Sequence, residues 1–267
     1  MIKKLNNTCM NEFDPDALDE VDAVKNIINS IKSLTKQEIL PISKSLGRIV
    51  SKNIHSTLDI PSFKNSAMDG YAVNIKILRK NKHILVQKGT SLAGKPYDKK
   101  LKGNETVKVM TGSVIPDNCD AVIMKEMVDI KEGNIYFPKN IKKNQNIRKI
   151  GEDVKKKSTI IKKGEVISHS HLGILSSCGI RKIAVTVKPI VSFFSTGDEL
   201  MSIDKQLKKG MIYDSNRYIL RGLLEMLPVI IKDMGVVEDN EKSLIKKLKV
   251  CSKNSDMIIT TGGVSVG

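Results

Sequence analysis

The chain has 267 residues, enough for one large domain or two to three small ones with a sizeable core, and 40% of them are hydrophobic. Its formal net charge is +16, yet 39 of the 45 basic residues are Lys, with five Tyr, five Phe and no Trp. That balance argues against a specific nucleic-acid reader, because bidentate phosphate and guanine contacts favour Arg and base stacking needs interleaved aromatics. No apolar run approaches the roughly 18 residues of a membrane helix, and the basic start MIKKLNNTCMNEF leads into no apolar signal core. The expected setting is therefore the cytoplasm, with no membrane partner.

In chain order, Asp14 followed by Pro15 reads as a helix cap and first helical residue. Leu18, Val21, Val24, Ile27, Ile28 and Ile31 then recur at helical spacing, predicting an amphipathic helix with one face packed against the rest of the molecule. Ser43 is expected to cap a short second helix through Val50. From about Ile54 to Asn144 the short β-prone runs His83–Gln87, Thr106–Met110, Ala121–Met124 and Asn134–Phe137 are separated by Gly, Pro, Asn and Asp, the sign of a small β-rich module. Thr159–Ile161 reads as a strand, and a short helix is expected around His171 to Cys178.

From Val187 the pattern becomes α/β. Strands are expected at Ile190–Phe194, Val229–Ile231 and Asp256–Thr261. One helix is capped by Ser215 and closed by Pro228, and another is marked by Leu244, Ile245 and Leu248. Alternating strands and helices imply a parallel sheet with right-handed crossovers. The four cysteines, Cys9, Cys119, Cys178 and Cys251, form no CxxC pair and read as free thiols. His169 and His171 lack nearby ligand partners in sequence and read as turn-capping or surface residues rather than a metal site.

Several segments carry chemistry. PSFKNSAMDGYAV, residues 61–73, is a polar loop that holds one carboxylate, Asp69, beside the permissive Gly70. Ligands of open α/β sheets bind beyond the carboxyl ends of the strands. Two loops fall there: Ser195-Thr-Gly-Asp-Glu199 and Gly262-Gly263-Val264-Ser265. Ser195, Thr196 and Ser265 offer hydroxyls, and Gly262 and Gly263 let backbone N–H groups approach an anion. Neither loop is a Walker or G-x-G-x-x-G fingerprint. Asp239 lies near the same edge or else caps the next helix, and Asp198 either serves a ligand or orders its turn.

The 61–73 run resembles the NSAMDGYA signature of the molybdopterin molybdenumtransferase family, MoeA and the E domain of gephyrin. Five further segments resemble that family in order: Val107–Gly112 with Pro116 and Asp120–Val122, Asn146–Val154, Phe194–Leu200, Ile212–Asn216 and Thr260–Gly267. The resemblance implies an α+β multidomain chain. Residues 1–53 and 147–183 would form a discontinuous helical and linker domain, with 54–146 inserted as a β-rich module. Residues 184–267 would form the first part of a MogA-like α/β molybdopterin-binding domain with a parallel sheet.

It further implies insertion of molybdate into adenylylated molybdopterin with release of AMP, helped by Mg²⁺. The implied catalytic residues are Glu199, Asp69, Thr111 and Asp153. Ser195, Thr196, Gly197, Asp198, Asp239, Gly262, Gly263 and Ser265 would bind substrate, with Glu199 and Asp239 on the metal. Family members are dimers in which the β module of one subunit reaches the α/β domain of the other, so a homodimer is expected, together with a MogA-type partner enzyme. The chain departs from the pattern after Gly267, where relatives carry an acidic residue, a Lys-Pro-Gly-Lys-Pro segment, a Leu-Pro-Gly-Asn-Pro segment and a C-terminal β domain. Activity of the 267-residue chain is accordingly expected to be weak or absent. The alternatives are a non-catalytic molybdopterin-binding scaffold and a MogA/MoaB-like pterin adenylyltransferase.

Overall fold

A computed structural model describes residues 18–262. Cys9, the expected cap at Asp14-Pro15, and Gly263 and Ser265 lie outside the described residues. Five helices are present among them: α1 (Glu20–Ser30), α2 (Ile75–Lys80), α3 (His169–Ser177), α4 (Ser215–Glu225) and α5 (Glu241–Asn254). The chain divides into two compact units. One takes the residues up to Leu40, Ser45–Ser51 and those from Ala184 onward; the other takes Pro41–Lys44 and Lys52–Ile183.

The 52–183 unit is built on a six-stranded mixed sheet in the order Ala121–Met124, Gly70–Val73, Glu105–Val109, Ile84–Ser91, Asn134–Tyr136, Asp129–Lys131. All four β-prone runs read from the sequence are strands here. Gly70–Val73 falls within the 61–73 run expected as a polar loop. It is a central strand, antiparallel to both neighbours, with every residue buried. Tyr71 and Val73 face a cluster with Leu85, Ile123, Ile135 and Leu78 of α2. Ala72 points the other way into a cluster with Val107, Val109, Ile115 and Val122. Burial of both faces removes the polar alternation that marks a half-exposed strand.

The α/β unit carries three parallel strands in the order Ile230–Val237, Ile190–Thr196, Met257–Thr261, as expected. The middle strand is buried on both faces. Val191 and Phe193 pack with Leu220 and Leu224 of α4, while Phe194 packs with Leu248 and Cys251 of α5. The cap of α4 is Asp214 rather than Ser215: its Oδ1 accepts the Arg217 N–H at 3.1 Å. Asn240, not Asp239, caps α5 by accepting the Ser243 N–H at 2.9 Å.

Two expectations for the N-terminal stretch are corrected. Helix α1 begins at Glu20 under the cap Asp19, and it buries none of its residues. Val21 is 75% exposed and Ile28 64%, so the apolar stripe is left largely exposed among the described residues. No helix runs from Ser43 to Val50. Ser43 lies in a single 3-10 turn, Ile42–Lys44, and Val50 bridges antiparallel to Val185. Gly47, at φ +73°, takes the left-handed backbone that ends helical propagation.

Close approach of strands dictates Gly70. A Cβ there would lie 2.7 Å from the carbonyl carbon of Ile123 and closer still to its oxygen, both fixed backbone atoms. Gly70→Ala is therefore expected to force the sheet apart and to lower stability by about 3 kcal/mol. Urea unfolding of the variant checks this, and an unchanged midpoint would show that the sheet yields without strain.

Candidate functional site

The antiparallel ladder builds one corner from three separate segments. Gly70 pairs with Val109 on one side and with Met124 on the other. Asp69, Thr111 and Lys125 therefore stand just beyond the ends of three adjacent strands. Asp69 Oδ1 accepts two hydrogen bonds from Thr111, from the N–H at 2.9 Å and from the hydroxyl at 2.8 Å. Asp69 Oδ2 lies 3.8 Å from Lys125 Nζ. The Thr111 N–H acts first, then its hydroxyl, then Lys125 and Lys108; together they outweigh desolvation and hold the Asp69 carboxyl below the usual carboxylate range. Asp69 is thus an ionised acceptor near neutral pH, not a proton donor.

Asp153 belongs to the same unit but its carboxylate is engaged elsewhere. Arg148 Nη2 donates to both of its oxygens, at 2.6 Å each, and Arg148 Nε also lies 3.7 Å from Glu152. The segment is placed by Ile147–Arg148, which pairs antiparallel with Asn65–Ser66 of the NSAMDG run. Gly112 N–H donates to Ser66 O at 2.8 Å, so all three motif segments of this unit converge on Asn65–Ser66. Cys119 is no nucleophile here: burial, then the charge of Asp120, pushes its thiol up to about 12.

In the α/β unit the other candidates gather at the carboxyl ends of the parallel strands. Asp198 Oδ1 accepts the Asp239 N–H at 3.0 Å, which ties the loop after Ile190–Thr196 to the loop after Ile230–Val237. Asp198 therefore orders its loop. Glu199 and Asp239 are exposed. The Glu199 carboxylate curls over Gly197, where a Cβ would meet Oε2 at 2.7 Å. Ser195 is buried, and its hydroxyl accepts from Thr261 Oγ1 at 2.9 Å rather than facing outward. Thr196 Oγ1 donates to Thr261 O at 3.2 Å. Gly262, at φ +89°, lies so close that a Cβ would be 2.8 Å from Thr196 Oγ1. Leu200–Met201 pairs with Ile212–Tyr213 and leads the chain into Asp214 at the head of α4.

The sequence reading missed Lys125, Arg148, Asp214 and Thr261. Lys125 is one of many scattered lysines, and Arg148 lies within the Asn146–Val154 segment with no signal that marks its partner. His171 Nδ1 lies 3.2 Å from the Ser168 N–H in a capping box at the start of α3, in keeping with a turn-capping histidine. No group of three or more His, Cys, Asp or Glu side chains placed to hold a metal occurs among the described residues. Mg²⁺ needs only one or two protein carboxylates when substrate phosphates and water complete its shell, and the hard oxygens of Glu199 and Asp239 suit it.

The Asp69–Thr111 contact makes a titration prediction. A depressed folded pKa means that the contribution of ionised Asp69 to stability is present above the ordinary carboxylate pKa of about 3.9 and is lost as pH falls through the folded value. Thr111→Val keeps the N–H but deletes the hydroxyl donor, so Asp69 is expected to titrate at higher pH in the variant. Carbon-13 NMR of the carboxyl group measures this; superimposable curves would make the hydroxyl a bystander.

With this geometry in place, the relatives are informative. Residues 18–179 match the family described as "MoeA N-terminal region (domain I and II)", and residues 192–267 match "Probable molybdopterin binding domain". A molybdopterin molybdenumtransferase of Haemophilus influenzae is 41% identical over 87% of this chain and 58% of its own length. One of Staphylococcus aureus is 32% identical over 92% of this chain and 59% of its own. The chain thus spans just under three fifths of the length of these curated relatives. A crystal structure of a molybdopterin biosynthesis moeA protein from Pyrococcus horikoshii superposes with a TM-score of 0.84 at 30% identity, covering 92% of this chain and 66% of that one. The segments that converge on Asp69 fall within the first match and those at the parallel sheet edge within the second, and on that ground the chain belongs to the MoeA family of molybdopterin molybdenumtransferases.

Proposed function

We propose that this chain acts in molybdenum cofactor biosynthesis, in the insertion of molybdate into adenylylated molybdopterin with release of AMP. The observation that carries this reading is the joined pair of loops at the α/β sheet edge. Asp198 binds the backbone of Asp239, and the two loops present Glu199 and Asp239 to solvent beside the Gly262 turn. An adenylylated pterin brings a phosphoanhydride and thereby several anionic oxygens. Backbone N–H groups of a glycine turn suit such oxygens. Thr196, Gly197, Asp198 and Gly262 line the proposed substrate position, with Gly263 and Ser265 following in the sequence.

In this reading Glu199 and Asp239 hold Mg²⁺, which would neutralise charge on the phosphoanhydride when bound. Ser195 and Thr261 support the loop from beneath rather than touching substrate. Asp69 acts as an ionised acceptor fixed by the two Thr111 donors, and Asp153 acts as the partner of Arg148. The protein works as a homodimer in the cytoplasm and receives its adenylylated substrate from a MogA-type enzyme.

The reading is tested by AMP release from adenylylated molybdopterin with molybdate and Mg²⁺. In the active protein, Glu199→Gln and Asp69→Asn are each expected to cut turnover at least tenfold, a barrier increase of about 1.4 kcal/mol, with an unchanged far-UV spectrum. Full turnover in both variants would remove these residues from the site, and the absence of AMP release from the unmodified protein would remove the reaction.

A further inference from the structure

The corner at Asp69 lacks something that an anionic substrate needs. Molybdate and a pterin phosphate are both tetrahedral oxyanions, and each is held by hydrogen-bond donors or positive charge. The Asp69–Thr111 pair supplies neither. The Thr111 N–H and its single hydroxyl proton are both donated to Asp69 Oδ1, and a carboxylate has no donor of its own. Left to itself, the pair would repel an oxyanion.

Lys125 supplies the positive charge and the donors that the pair lacks. Its backbone N–H donates to Asp69 O at 3.2 Å, so its Cα is fixed directly beside that residue. Its side chain is half exposed, and Nζ lies 3.8 Å from Asp69 Oδ2 and 3.9 Å from Glu126 Oε1. Both separations are ion pairs beyond hydrogen-bond reach, which leaves the ammonium donors uncommitted to these two carboxylates. Lys108, opposite Tyr71 on the neighbouring strand, adds to the same positive field.

We infer that Lys125 is the oxyanion-contacting residue of this corner, with the Asp69 carboxylate, itself fixed by the two Thr111 donors, keeping the ammonium nearby through charge attraction. The inference rests on the molybdate-insertion reading for the identity of the oxyanion. A Lys suits the task as a compact, mobile point charge on a site that carries no bidentate donor geometry.

Calorimetry on the protein tests it with three probes: molybdate alone, inorganic phosphate alone, and adenylylated molybdopterin. Lys125→Gln is expected to weaken oxyanion binding about tenfold or more, the size of one charge-assisted hydrogen bond, whereas Lys125→Arg largely restores it. Loss confined to molybdate assigns the metal oxyanion to Lys125. Loss confined to phosphate and the pterin assigns the pterin phosphate. A structural role is separated by two readouts. The variant keeps the backbone bond to Asp69 and should melt with the unmodified protein, and the nitrogen-15 signal of the Lys125 ammonium should shift on adding the bound probe. If the unmodified protein binds the probes and Lys125→Gln binds them equally well, the inference fails while the proposed reaction stands. If the unmodified protein binds none of the three, both fail.

Discussion

The close contact between Gly70 and the backbone of Ile123 is the constraint on which the first motif corner depends. Without a side chain at position 70, the Gly70–Val73 and Ala121–Met124 strands can adopt the register that pairs Gly70 with Met124. The same residue pairs with Val109 on its other side. One glycine thus aligns the ends of three strands, and the residues just past those ends, Asp69, Thr111 and Lys125, meet as a consequence. A one-residue slip would exchange the two faces of the strand. It would set Tyr71 and Val73 against the Ala72 cluster, so packing on both faces guards the corner.

The α/β unit reaches a comparable result by different means. Parallel strands end in phase, so the loops that follow them share one edge without any side-chain pairing. The loops still need a relative position, and the Asp198 carboxylate supplies it by accepting the Asp239 N–H. The cost of that role is that Asp198 is only in part free for a ligand. Glu199 and Asp239 keep exposed side chains because a neighbouring acid serves as scaffold. Gly197 and Gly262 contribute in the same manner as Gly70, by letting a carboxylate or a backbone come where a Cβ would stand.

Much of this was legible in the sequence, and the omissions have physical causes. The four runs between His83 and Phe137 are longer or flanked by turn residues, and each is a strand. The three parallel strands and the two helices between them followed from alternating apolar runs. Gly70–Val73 escaped because four residues buried on both faces show no period. The helix expected through Val50 does not form because Gly47 takes a left-handed turn that a capping residue at Ser43 does not foretell. The stripe on α1 was read correctly as a stripe, but periodicity reports a face and not what covers it. Asp69, Thr111, Glu199 and Asp239 came from motif resemblance. The Lys125 partner of Asp69 required coordinates, since contact between residues 69 and 125 depends on strand order.

The charge of the chain takes its meaning from these contacts. A total of +16 spread over mostly solvated lysines has little directional effect, because exposed charges further apart than about 8 Å are screened at physiological salt. Lysines gain specificity only where a neighbour fixes them. Lys247 Nζ donates to Met234 O at 3.0 Å, and Lys232 Nζ donates to Asn254 O at 2.9 Å; both tie helix α5 to the Ile230–Val237 strand and leave the ammonium partly spent. Lys88 is set against Glu105 at 3.5 Å on the sheet surface. Lys125 differs from these three because the carboxylate that steadies it is already saturated on one oxygen by Thr111, so the pair is held from the protein side and open from the solvent side. Position within a hydrogen-bonded frame, rather than abundance of Lys, is what distinguishes a candidate anion contact from the basic surface around it.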